Sequence, residues 1–554
     1  MDAMPEATTA IDWRTWSTEA FSHAHAKRRP VLLAIGTTWS AACRAMDREV
    51  YADERVAALL RDRVVAVRVD ADRRPDIADR YGAGGWPTTL LLTADGDPLC
   101  GGTYIDADRL AATIADVADR CQRDADDIRR LALAARAARA TASYDDAHAQ
   151  VQPRAADHAP AFARRDAREA VPGAQSLSSA WPSPDDATNP APSPARDGEE
   201  DAAVAWIAAC VLREYDAAHA GFGTREKFPL VAPIAFALRH GHRQRDESLL
   251  ELSIATLDRI GWGGLSADSL DAQAARDVPH RDAGAFHRAC ANPDWSDPDR
   301  AHLLEIHADL IRLFLDAWTI TGFDRYRDRA LAAWAWIDRT LHDTADDEGP
   351  ARGGFFASEA DGEVDRVLLT DANAKTIRAL LRLSHVLDDP RYAECAARAA
   401  ERLMPAVYGR GAGVAHVLDA RSSQSRVRGL LTDQVHASAA LLDLGLVAAD
   451  RAYLDLAEEL MRSCLRKLWD ASRGAFVDRL PSSAGAGDVG LLGEPLHPFA
   501  LNAEAARLLD RLGRHTDHAE FTERAADVRG WLARHYQQQG IASAEYGVVL
   551  VDHD

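Results

Sequence analysis

Beyond Asp201 the chain repeats one device six times: helix-period segments, then a glycine, then an apolar or aromatic residue. The glycines are Gly221, Gly264, Gly354, Gly413, Gly474 and Gly540, closely followed by Phe222, Leu265, Phe355, Val414, Phe476 and Ile541. Their spacing, roughly 40 to 90 residues, suits six helical hairpins. One hairpin cannot bury its apolar stripe alone, whereas six closing into a ring share a continuous core. The expected architecture of residues 201–554 is therefore all-α, an (α/α)6 toroid.

A second repeat lies inside the first. Four helices carry a polar residue followed by alanine near their start: His307, Asn373, His436 and Asn502, with Arg312, Arg378 and Arg507 five residues further on in three of them. If these are the inner helices, the four polar groups surround one mouth. The competing reading is ordinary end chemistry, in which a polar side chain meets unpaired backbone N–H groups.

The N-terminal part has a different grammar. Val31 to Ile35 reads as a buried strand, Gly36 to Ala42 as a turn, and the following helix carries Cys43, Met46 and Val50 on one face. Val64 to Val69 is a second buried strand, and Leu90 to Leu92 a third, after Trp86 and Pro87. A short helix bearing Trp13 and Trp16 and running to Lys27 is expected before them, and a helix over 106–123 closes this α/β domain at 1–123. An Ala- and Arg-rich helix (124–141) and a Pro, Ser, Ala and Asp-rich stretch (152–200) then form a linker spanning 124–200.

The run Trp39, Ser40, Ala41, Ala42, Cys43, with Trp86, Pro87 and Thr88 some forty residues later, resembles the thioredoxin fold's WCxxC site and its cis-proline loop. Gly36, Met46, Glu49, Asp70, the RPD of 74–76, the GGWP of 84–87 and the GGTY of 101–104 narrow the resemblance to the spermatogenesis-associated protein 20-like family. That resemblance implies a thioredoxin-like fold followed by a glycosidase- or epimerase-like six-hairpin toroid. In the second half it rests on the GFG of 221–223, the KFP of 227–229, the FHR of 286–288 with Trp295 and Pro298, the GGFFASEAD of 353–361, Asp433, and Asn502 after Pro498. Where the family carries a PHFEKMLYD-like block, this chain has Pro298 and then DRAHLLEIH, the mark of a degenerate member.

Ser40 stands where a dithiol site has its attacking thiolate, and a hydroxyl cannot replace it, so dithiol oxidoreductase activity is not expected. Cys43 is either a thiol that holds a protein client or a small buried apolar residue. In the toroid, glycoside hydrolysis needs two carboxylates, for which Glu359, Asp361 and Asp433 are candidates, with Glu305 behind them. Sugar epimerisation needs a base beside a carbonyl, for which His307 with His436, or else His287, serves. His287, Arg288, Trp295, Phe355, Asn373 and Asn502 are the expected substrate-binding set.

A net charge of −21 argues against nucleic acid or anionic membrane as a partner. The seven cysteines are never spaced as CxxC, so neither a disulfide framework nor a metal site is indicated, and no cofactor is implied. With no apolar run of membrane-spanning length and no signal-like start, a cytoplasmic protein is expected. The function these readings support is carbohydrate or small-molecule binding or processing in the toroid, against a thiol-dependent client binder or a non-catalytic scaffold.

Overall fold

A computed structural model describes residues 11–124, part of 126–134, 197–268, 282–344, 353–481, 488–516 and 518–553. The linker expected over 152–200 lies outside these apart from 197–200, as does most of the helix expected over 124–141.

Strands β1 (Val31–Gly36), β2 (Val65–Asp70), β3 (Thr88–Leu92) and β4 (Pro98–Gly102) form one mixed sheet in the order β2-β1-β3-β4. β1 runs parallel to β2 and antiparallel to β3. β1 and β3 are covered on both faces, which is why they read as unbroken apolar runs rather than as alternation. Helices α1 (Thr18–Lys27), α2 (Ala41–Glu49), α3 (Glu54–Asp62), α4 (Pro75–Tyr81) and α5 (Ala107–Arg123) flank the sheet. Side chains of Ser17, Ser40, Asp53 and Asp106 accept backbone N–H groups at four helix starts, and Pro75 opens α4, where its missing N–H costs nothing. Trp13 and Trp16 precede α1 instead of lying on it, because Ser17 starts the helix and Arg14 runs beside Val67 of β2. The Trp86–Pro87 peptide is cis. This is a thioredoxin-like fold.

The second half is a ring of helices in two layers. Its outer layer is α6 (Asp197–Glu214), α8 (Glu247–Trp262), α10 (Asp324–Thr340), α12 (Pro390–Val407), α14 (Arg451–Lys467) and α16 (Ala519–His535). Its inner layer is α7 (Val231–Gln244), α9 (Leu304–Thr321), α11 (Thr370–Leu387), α13 (Leu431–Ala448), α15 (Phe499–His515) and α17 (Ala544–His553). Each inner helix packs on the next, and α17 returns to α7 to close the circle. The sixth pair is not a hairpin: α17 takes α6 as its outer partner, so the two ends of the segment complete one another. A single apolar cluster runs from Ala203 to Val551.

The two halves are docked. Leu491 and Leu492, from a turn between α14 and α15, enter the apolar cluster of the thioredoxin-like sheet beside Trp16 and Tyr81. The Tyr81 hydroxyl accepts the Leu491 N–H at 2.8 Å and donates to the Gly96 carbonyl at 2.8 Å. Gly490 and Gly96 meet backbone to backbone, both at positive φ, and a Cβ on either would collide with the other. Arg80 of α4, its side chain 2% exposed, donates to both Asp478 oxygens (2.6 and 3.0 Å) and to the carbonyls of Leu491 and Glu494 (2.9 and 2.7 Å).

Candidate functional site

The inner helices start without side-chain caps; Leu303, Leu369, Leu430 and Pro498 stand at the positions before α9, α11, α13 and α15. Instead, the fourth residue of each reaches out to the glycine turn beside it. Asn373 Oδ1 accepts the Phe355 N–H (2.8 Å), and its Nδ2 donates to the Phe355 and Leu369 carbonyls (both 2.9 Å). Asn502 does the same with Phe476 and Pro498, and Gln434 with Val414 and Leu430. His307 accepts the Phe286 N–H at Nε2 (2.9 Å) and bonds the Leu303 carbonyl through Nδ1 (2.7 Å). These four are buried backbone pins, not groups around a mouth. The polar-plus-alanine pattern thus joined three pins to one residue of another kind: the pin of α13 is Gln434, and His436 lies two positions on.

That offset identifies the positions that do face inward. Two residues past each pin stand Asp309, Lys375, His436 and Glu504; five past stand Arg312, Arg378 and Arg507. All seven line a cavity of about 430 Å³ on the axis of the ring, at the end where the inner helices begin. Its roof comes from the other half of the chain: Pro75, Asp76 and Asp79 of α4. Inner-helix N-termini therefore meet an acidic helix of the covering domain, a favourable sign for the helix dipoles.

Most charges in the cavity are spoken for. Lys375 pairs with Asp309 (3.0 Å) and Glu305 (3.5 Å), Glu504 with Arg378 and with Arg507 (2.8 Å), and Asp316 with Arg239 (2.6 Å) and Arg382 (3.1 Å). Among the described residues, four cavity groups make no hydrogen bond or ion pair: Asp79, Arg312, His436 and Glu545. Burial with Asp478 nearby raises Asp79 to about 7, and burial with Glu504 nearby raises Glu545 to about 7. Burial and the Lys375 ammonium lower His436 to about 4, and its buried Nδ1 has no partner. The cavity thus holds two carboxyls that trade protons near neutrality, a neutral imidazole and one free guanidinium.

The other expected residues lie elsewhere. Glu359 is buried and bonded to His302 Nδ1 (2.7 Å), and His302 Nε2 meets His287 Nδ1 (3.1 Å); burial and the neighbouring His302 lower His287 to about 3. Asp433 holds His416 Nδ1 at 2.8 Å, with Asp371 at 3.9 Å, and His416 Nε2 donates to the Asp72 carbonyl of the thioredoxin-like domain (2.8 Å). Burial opposes charge on His416, but Asp433 and Asp371 override it and raise His416 to about 10; burial raises Asp433 to about 6. Asp361 is exposed at the seam and pairs with Arg44. Trp295 and Phe355 are core, Trp295 donating Nε1 to the His219 and Ala220 carbonyls (3.0 Å each), so neither is a sugar platform. Asp282, His302 and Glu359, and separately Asp371, His416 and Asp433, gather potential metal-ligand atoms within 4.8 Å of one another. Both nitrogens of His302 and of His416 are already engaged as described, so an ion would have to displace an existing bond.

The thioredoxin-like site faces the toroid. Ser40 Oγ caps α2 by accepting the Cys43 N–H (3.2 Å), and burial raises the Cys43 thiol. Trp39 is 5% exposed beneath Ala301 and Ala360, with Trp86 and Leu303 against it and the Arg288 guanidinium 5.0 Å from its ring. Trp39 Nε1 donates to Asp72 (2.7 Å), and Thr38 and Arg73 both donate to Asp365 of the toroid. Cys43 itself is buried, its Sγ close against Gly36 within its own domain.

Sequence reasoning missed Asp79, Glu545 and Gln434. Asp79 and Glu545 are ordinary acids in ordinary helices, and only packing brings them to one cavity. The inward-facing set, by contrast, was written in the register: the arginines five past the pins were visible, and the positions two past them follow from the same helical face.

Residues 4–137 match the family described as protein of unknown function DUF255, a DsbH-type thioredoxin domain. Spermatogenesis-associated protein 20 of Rattus norvegicus is 22% identical over 412 residues, 70% of this chain and 43% of that protein; the Homo sapiens protein is 23% identical over 412 residues, 70% and 44%. An uncharacterized protein of Caenorhabditis elegans is 36% identical over 113 residues, 19% of this chain and 16% of that one. The match therefore spans less than half of each of these relatives. Among solved structures, cellobiose 2-epimerase from Bacillus thermoamylovorans superposes with a TM-score of 0.51 at 10% identity, over 64% of this chain and 99% of that one. The Spirochaeta thermophila enzyme of the same name gives 0.50 at 13%, over 64% and 98%. At such identities the likeness is one of fold, the six-hairpin toroid. Residues 4–137 thus match the DUF255 family, and about 70% of the chain is similar to spermatogenesis-associated protein 20, in an architecture that joins a thioredoxin-like domain to a six-hairpin toroid of the fold seen in those epimerases.

Proposed function

We propose that the axial cavity binds a small polar molecule, a carbohydrate or close derivative, and moves a proton on it. The observation that carries this reading is the set of cavity groups left without partners. A buried polar atom normally finds a bond within the protein, so the bare Nδ1 of His436 is best accounted for by a ligand that completes it, with the unpaired carboxyls of Asp79 and Glu545 lining the same space. Glu545 and Asp79, both raised to about 7, are poised to give and take protons at neutral pH, and neutral His436 offers one donor and one acceptor. The volume falls within the usual range for small-molecule sites. The fold it shares with two enzymes named cellobiose 2-epimerase favours a sugar over other polar ligands.

Proton transfer beside a carbonyl fits this set better than glycoside hydrolysis through Glu359, Asp361 and Asp433, none of which lines the cavity. The thiol-dependent reading is disfavoured by the covered position of Cys43.

A thermal-shift screen of mono- and disaccharides tests the proposal, since a ligand of the native state raises the melting temperature whether or not it turns over. At least one sugar should stabilise the protein, and Glu545→Gln and His436→Ala should each remove that stabilisation with the helical circular dichroism unchanged. No response to any sugar would sink it.

A further inference from the structure

The fourth unpartnered cavity group adds a constraint of its own. Arg312, on α9, lines both the 430 Å³ cavity and a second one of about 590 Å³ on the opposite side of the ring, with Arg378, Glu504 and Arg507 at the same level. Its neighbours' charges are already committed. Glu504 bridges Arg378 and Arg507, Asp309 is held by Lys375, Asp443 by Arg378 (2.9 Å) and Arg511, and Asp552 by Arg239 (2.9 Å) and Arg507 (2.7 Å). Arg312 is thus a guanidinium beside another guanidinium, and the repulsion from Arg378 is the first cause that lowers it to about 10, where it remains charged at neutral pH. Its nitrogens are not sealed away, since the unpaired polar atoms fully buried in the protein include none of them, so the fork opens onto cavity space.

A free guanidinium in a confined site, next to a like charge, is a standing electrostatic cost unless an anion meets it. Its planar fork fits a carboxylate or phosphate through two parallel bonds. We infer that the molecule bound in this cavity carries an oxyanion, a carboxylate or a phosphate, seated on Arg312 at the waist of the ring. The inference rests on the proposed small-molecule reading of the cavity and narrows it to an acidic or phosphorylated sugar-like ligand whose uncharged part lies toward His436, Glu545 and Asp79.

Calorimetric titration of the full-length protein at constant ionic strength tests this with four probes: D-glucuronate, its neutral isostere D-glucuronamide, D-glucose 6-phosphate and inorganic phosphate. Glucuronate or glucose 6-phosphate should bind at least about tenfold more tightly than glucuronamide, as expected for charge-assisted bonds, and whichever is tighter names the oxyanion. In Arg312→Gln the preference should collapse to within about twofold, while Arg312→Lys, which keeps the charge but not the fork, should retain part of it. The comparison of glucuronate with glucuronamide needs no variant, so misfolding of either substitution leaves the test intact. Equal binding of the acid and the amide overturns the inference and leaves the sugar reading standing. Binding of inorganic phosphate that needs Arg312, without binding of any sugar, supports the oxyanion seat and overturns the sugar reading. Silence from all four overturns both.

Discussion

Single residues in this chain do one of two jobs, and helix position separates them. Three of the polar residues that stood out in sequence, His307, Asn373 and Asn502, are committed to backbone; His436 is committed to nothing. Replacing Asn373 by Ala strands the buried Phe355 N–H and should cost about 1–3 kcal/mol in denaturant unfolding with the slope unchanged. His307→Gln should cost less than His307→Ala, because Gln434 already performs that role in α13. Glu545 behaves in the opposite sense. Its folded pKa, about 7, lies above the usual value of 4.5, so its contribution to stability is complete below 4.5 and is lost as pH rises through 7. Glu545→Gln should therefore stabilise the protein above neutrality, by up to about 3 kcal/mol, and change little at pH 4. An equal effect at both pH values would show that Glu545 does not hold its proton. His416 titrates later: raised to about 10 from 6.5, it stabilises fully below 6.5 and stops doing so as pH passes 10, a fall that His416→Gln should flatten.

At the scale of elements, α4 matters beyond its seven residues. Its outward turn carries Asp79 to the cavity, and Arg80, one residue on, ties the helix to the toroid. Removing one partner of so buried a pair leaves the other charge uncompensated. Arg80→Met should destabilise the docked state by about 3–5 kcal/mol and split thermal unfolding into two transitions; a single transition at an unchanged temperature would refute this. The inner helices were readable from the repeated glycines, whereas α4 was not read as a helix, its RPD of 74–76 serving only in the resemblance. The role of α4 as a roof was not readable either, because nothing in a seven-residue amphipathic helix says which second body will sit against it.

For the molecule as a whole, docking decides the fate of the redox-type site. Ser40→Cys would restore a CxxC run, yet Trp39 is sealed beneath Ala301 and Ala360, so the variant should show no insulin reductase activity; Cys43, buried in its own right, should resist alkylation until the protein unfolds. Prompt alkylation of native protein would refute the burial of Cys43. Among the described residues no helix is long and apolar enough to cross a membrane.

Strand runs, helix starts and the six-fold glycine punctuation are local matters of side-chain period and backbone freedom, so the order of amino acids alone determined a thioredoxin-like fold followed by a ring of helices. The closing of that ring by α6 and α17, the seating of Leu491 and Leu492 in the other half's core, and the meeting of Asp79 with Arg312, His436 and Glu545 were decided only in three dimensions. Burial and charge neighbours set those groups' protonation, and neither exists until distant segments pack together.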